Sequence, residues 1–157
     1  MKKKRVVIIS LLLLLVSVIG ISSYFLFKDK INLLDVDHSA VDWNGKKQKD
    51  TSGEENTIAI PGFEKVTLYA NETKQAVNFH NPEINDCYFK ISLIYPDGSV
   101  LWISDLIEPG KGMYSIELEK TLAVGEYENA VLKYECFSLN DQSPLNGSEI
   151  NLKLVVV

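Results

Sequence analysis

The sequence lacks the signatures that would announce a reaction. It has no phosphate-cradling glycine-rich loop, no Cys and His array at zinc spacing and no Gly-x-Ser-x-Gly elbow, so motif-borne nucleotide, zinc and serine-hydrolase chemistry finds no support. Cysteine and histidine are scarce, with two of each. His38 and His80 have no third group at a spacing that builds a nucleophile and base pair, and no cofactor or metal is expected. No Cys stands near the end of the N-terminal apolar run, which excludes lipid anchoring through such a residue. A 3.6-residue apolar stripe is also missing from the body of the chain.

What is present begins with Lys2, Lys3, Lys4 and Arg5, followed by an uncharged run over residues 6–27. As a helix the run would reach about 33 Å, enough to cross a hydrocarbon core of about 30 Å. The cations lie before it, and Lys28, Asp29 and Lys30 after it carry little net charge. The positive-inside bias therefore predicts a single-pass cell-membrane anchor with residues 1–5 as a cytoplasmic stub and the rest extracytoplasmic. A cleaved signal peptide is the rival reading, with Val18 and Gly20 or Gly20 and Ser22 at the cleavage site. The run continues into Tyr24, Phe25, Leu26 and Phe27, aromatics that suit a membrane interface and favour the uncleaved anchor.

Residues 31–157 hold ten Lys against twenty Asp and Glu. An acidic body repels phosphate backbones, so nucleic acid is not an expected partner. Residues 45–56 contain no apolar side chain, and residues 28–56 read as a flexible tether ahead of a domain at 57–157. Asp35, Asp37, His38 and Asp42 form an acidic cluster without EF-hand spacing, best read as solvated charge.

From Thr57 onward apolar residues alternate with period two between regularly spaced turns, which predicts an all-β fold, a β-sandwich of about seven or eight strands. Cys87, Phe89, Ile91, Leu93 and Tyr95 share one face; Pro96, Asp97 and Gly98 make a hairpin turn to residues 100–103. Tyr114, Ile116 and Leu118 are expected on one face of another strand, and residues 150–156 form the last. Leu122, Gly125 and Tyr127 have the Leu-x-x-Gly-x-Tyr spacing of the tyrosine corner, which points to an immunoglobulin-like sandwich, with a bulge near Glu128 and Asn129 to restore register.

In that order Cys87 and Cys136 lie on neighbouring strands and face the core, so a disulfide and a pair of buried thiols both remain open. Trp43 docks the tether or anchors a partner; Trp102 packs in the sandwich or does the same. Turns at 97–99 and 109–112 place Asp97 and Lys111 among the candidate partner contacts, and the last strand offers an edge for pairing.

The segments Trp43-Asn44-Gly45, Asn81-Pro82-Glu83, Cys87-Tyr88-Phe89 and Glu108-Pro109-Gly110-Lys111-Gly112 resemble a group of small membrane-anchored β-sandwich proteins of Gram-positive bacteria, over about residues 42–157. Members often carry the label tRNA (uracil-5-)-methyltransferase. That activity needs an α/β cofactor domain and a cytoplasmic tRNA, whereas this body is short, strand-patterned and acidic. The resemblance therefore implies fold and location. The expected function is a non-catalytic, membrane-anchored extracytoplasmic interaction module for an envelope protein or glycan. The alternatives are an extracytoplasmic protease inhibitor and an envelope-acting enzyme.

Overall fold

The computed structural model describes residues 33–45 and 57–157. The stub 1–5, the apolar run 6–27 and tether residues 28–32 and 46–56 lie outside the described residues. Alternating side chains build strands throughout: β1 (Val41–Asp42), β2 (Lys65–Leu68), β3 (Lys74–His80), β4 (Cys87–Ile94), β5 (Val100–Ile103), β6 (Lys111–Glu117), β7 (Gly125–Ser138) and β8 (Pro144–Val156). They form two sheets, ordered β1-β6-β3 and β2-β8-β7-β4-β5, and no described residue is helical.

The sheets close over one core. Cys87, Phe89, Ile91 and Leu93 of β4 point inward, as their period predicts. Phe79 of β3 meets Trp102 of β5 across the sandwich at 5.8 Å between ring centroids, and Phe89 meets Tyr134 of β7 edge-on at 5.3 Å. Each such ring removes enough apolar surface from water to contribute about 2 to 3 kcal/mol. Burial pushes the Tyr134 phenol well above its ordinary pKa, and its hydroxyl donates to the Pro61 carbonyl at 3.3 Å.

The tyrosine corner forms: the Tyr127 hydroxyl donates to the Ala123 carbonyl at 2.9 Å. Register between β7 and β8 shifts between Tyr127 and Ala130, where Asn129 takes φ 62°. That bulge lets Tyr127 and Ala130, an odd number of residues apart, both serve the inner side.

Three expectations are corrected and one choice is decided. Residues 34–45 belong to the compact unit Leu34–Val157 rather than to a tether. They are held by backbone pairing, with Asp37 N–H donating to Leu106 O at 2.8 Å and Leu106 N–H to Asp35 O at 3.0 Å. Met113, not Tyr114, faces the core, because a register shift between Ala76 and Phe79 of β3 breaks the two-residue period of β6. Of the two places expected for Trp102, it takes the sandwich interior and not a partner surface: it pairs with Leu93, whose face is the core face, and is 7% exposed. The last strand is not an edge over its final turns, since Lys153–Val156 residues of β8 lie beside β2 in parallel register.

Candidate functional site

A groove lies where β1 meets the start of β6. β1 is only two residues long, pairing Val41 with Gly112 and Asp42 with Lys111. The next residue, Trp43, continues the ladder through its N–H to the Gly110 carbonyl at 2.8 Å. Its indole lies flat on the His80 imidazole, with centroids 3.8 Å apart and planes 9° apart, and its Nε1–H donates to Asn78 Oδ1 at 2.7 Å. Asn44 finishes the attachment through two hydrogen bonds with the Tyr114 hydroxyl, each 2.9 Å.

Glycine makes this approach possible. A Cβ on Gly112 would stand 2.8 Å from both the Phe79 carbonyl oxygen and Trp43 Cδ1, so any side chain there would lift the indole off the sheet. Gly110 takes φ 77°, which turns the chain under the opposite wall.

That wall is residues 81–86, fixed by two buried amides. Asn81 Nδ2 donates to the carbonyls of Cys87 at 2.8 Å and Ile107 at 2.9 Å. Asn85 Nδ2 donates to Asn81 Oδ1 at 2.8 Å and to Ala59 O at 3.0 Å, while Asn85 Oδ1 accepts from Ala59 N–H at 2.7 Å. The backbone of Asn81 also exchanges hydrogen bonds with Lys111 O and Gly110 N–H, both at 2.9 Å. Because buried amides are costly to leave unpaired, this network holds the loop rigidly against the sheet.

Between the walls is a groove of about 500 Å³. Trp43, Pro82, Ile84 and Pro109 supply its apolar surface, and Asp42 and Glu83 its carboxylates. Ile84 is 71% exposed, an unusual setting for an isoleucine on a clamped loop. Asp42 pairs with Lys111 at 2.5 Å. The shared hydrogen bond holds the Asp42 carboxyl below, and the Lys111 ammonium above, their ordinary pKa values. Both groups face solvent, so the pair orients β1 more than it stabilises the fold.

Trp43 and Lys111 thus come together, with Lys111 restraining the strand that carries the indole. Asp97 sits at the opposite end of β4, where its carboxylate accepts from Ser99 N–H at 2.8 Å and shapes the hairpin turn. Trp102 is in the core. Cys87 and Cys136 are buried thiols on adjacent strands, diagonal in register, since Cys136 pairs with Phe89 and Cys87 with Ser138. Their mutual hydrogen bond lowers the Cys87 thiol pKa and raises that of Cys136.

The acidic residues of the first segment do not gather. Asp37 accepts from Ser39 and from Asp105 N–H, and Asp42 is committed to Lys111. Among the described residues, no group of three or more His, Cys, Asp or Glu is arranged to hold a metal ion. His80, 2% exposed, lies beneath Trp43 at the base of the groove. Asn81 enters the sequence reading only within the Asn81-Pro82-Glu83 segment of the resemblance, and Asn85 not at all, because an amide beside a proline carries no pattern that marks it as a buried clamp. The four-residue spacing of two Asn about Pro82 is the signal that was available. Comparison with family models, curated proteins and solved structures finds no match.

Proposed function

We propose that this chain is a non-catalytic interaction module of immunoglobulin-like fold. Residues 6–27 hold it at the cell membrane with the body outside, where it binds an envelope protein or glycan. The strand order supports the fold: β2 runs parallel to β8 at the edge of a five-strand sheet, opposite the β3 and β6 pair, as in such sandwiches when the first strand switches sheets. The Trp43 groove carries the functional reading. It joins an aromatic surface, two prolines and an exposed isoleucine on a rigid frame, the composition expected of a recognition patch. The test is a photo-crosslinking residue at Glu83 in the full-length protein in its own membrane. A discrete envelope adduct is expected, weakened by Trp43→Ala. Identical adducts from a control position at Asn140 would count against the groove.

One observation favours the inhibitor alternative. A protease inhibitor presents an apolar side chain on a loop too rigid to be released after cleavage, and Ile84 stands on a loop clamped by Asn81 and Asn85. Incubation with serine proteases of aliphatic and aromatic specificity decides this, since turnover at Ile84 without inhibition removes the alternative.

A further inference from the structure

Away from the Trp43 groove, the sandwich has an open side where two strand edges face a shared cleft. Hydrogen-bonding direction alternates along a strand, so the bonds already made fix which way the remaining groups point. At one end of β6, Gly112 pairs with Val41 of β1. At the other, Leu118 N–H donates to Thr73 O, toward β3, so Ile116 shares that side. Ser115 and Glu117 therefore turn their backbone groups the opposite way. Glu119, two residues on, confirms the direction: its N–H donates to Leu101 O of β5 at 2.8 Å. Between the Val41 and Leu101 contacts, no strand among the described residues lies beside Ser115 and Glu117. Across the gap, Ser104 N–H donates inward to Ile91 O, which leaves the backbone of Ile103 facing the same cleft.

The cleft encloses about 460 Å³. Trp102, Met113 and Ile116, each less than a tenth exposed, lie at its floor, and Ser39 stands beside Met113 with Oγ 3.8 Å from Sδ. Asp37, Glu117 and Glu119 stand on its margin against a single ammonium, Lys74. Between Gly112, paired with Val41, and Glu119, bonded to Leu101, the edge from Met113 to Leu118 runs about 17 Å, room for an added strand of about five residues.

We propose that this seam is a β-addition site for an extended peptide segment of a partner protein, with apolar and Lys or Arg side chains alternating. The segment lies along Ser115 and Glu117 in continuation of β1, which already uses the same edge for two residues. Its inward side chains cover the mouth of the cleft above the buried Trp102, Met113 and Ile116, and its cations meet Glu117 and Glu119. A glycan has no matching series of backbone donors and acceptors. A second copy of this edge would set Glu117 and Glu119 against themselves, a like-charge opposition that disfavours self-pairing. The proposal rests on the reading of the chain as an interaction module but uses a surface distinct from the Trp43 groove.

The test uses the full-length chain in detergent micelles, with a capped six-residue peptide of alternating Val and Lys as probe and amide hydrogen exchange as readout. Saturating peptide is expected to slow exchange at Ser115 or Glu117 by about tenfold or more. Glu117→Lys with Glu119→Lys weakens binding by about tenfold or more, and backbone N-methylation of the peptide abolishes it. Trp43→Ala leaves the protection unchanged, which separates this site from the groove. The proposal is overturned by absence of protection at millimolar peptide, by equal binding of the N-methylated peptide, or by loss of protection in Trp43→Ala. Protection that rises with protein concentration without peptide identifies self-association and also overturns it.

Discussion

Gly112 and Trp43 are one device at the residue scale. The indole reaches His80 only because nothing projects from residue 112. Gly112→Ala is therefore expected to release the indole, seen as a red-shifted and more quenchable tryptophan emission, because Trp102 remains buried. Trp102→Ala, by contrast, opens a cavity against Phe79 and should cost about 3 to 5 kcal/mol in urea unfolding. A loss under 1 kcal/mol, or about that, would mean Trp102 is not the core residue described. Asn81→Ala strands the Cys87 and Ile107 carbonyls and one Asn85 donor, and is expected to cost about 3 kcal/mol in the same measurement. The two tryptophans show why sequence assigns a type more readily than a place. Four-residue β5 is too short for its alternation to choose a face, and its extra residue Leu101 is buried beside Trp102.

At the scale of elements, β4 and the tyrosine corner were legible because each repeats a rule over several residues. Four inward side chains at even spacing leave one way to turn β4, and the Leu-x-x-Gly-x-Tyr spacing places the Tyr127 hydroxyl over Ala123. Tyr127→Phe should cost about 1 kcal/mol, read from the urea midpoint. β1 was not legible, since two residues have no period. What holds β1 is backbone pairing plus the Asp42 and Lys111 contact, and this contact gives β1 a pH window. The Asp42 carboxyl is depressed, so its contribution is present above the ordinary carboxylate range and lost as pH falls through the depressed value. The Lys111 ammonium is raised, so its contribution is present below the ordinary lysine range and lost as pH rises through the raised value. The protection factor of the Trp43 amide, corrected for intrinsic exchange, should fall as pH drops below the ordinary carboxylate range and be lowered at neutral pH by Asp42→Asn. An unchanged factor in both cases would sink the idea that the pair restrains β1.

At the scale of the whole molecule, the folded unit begins at Leu34, and its first segment contributes to both surfaces discussed above. Gln142 fixes its start: the Leu34 N–H donates to Oε1 at 2.6 Å, and Nε2 donates back to the Leu34 carbonyl at 3.0 Å. A chain that starts at Thr57 should therefore lose the Trp43 groove and expose the whole outer edge of β6. Its expected behaviour is a lower urea midpoint, compared with a chain that starts at Leu33. Equal midpoints would show that residues 34–45 add nothing to the fold.

The clamp formed by Asn81 and Asn85 has a kinetic meaning. Its two side chains join Ala59, Cys87 and Ile107, and the Asn81 backbone joins the Gly110 to Lys111 turn, so one wall of the groove is fastened at four places along the chain. Such a wall does not open without disturbing the core. A ligand of the groove proposed above would meet a finished shape, and encounter and orientation, rather than rearrangement of the wall, would set the rate of association.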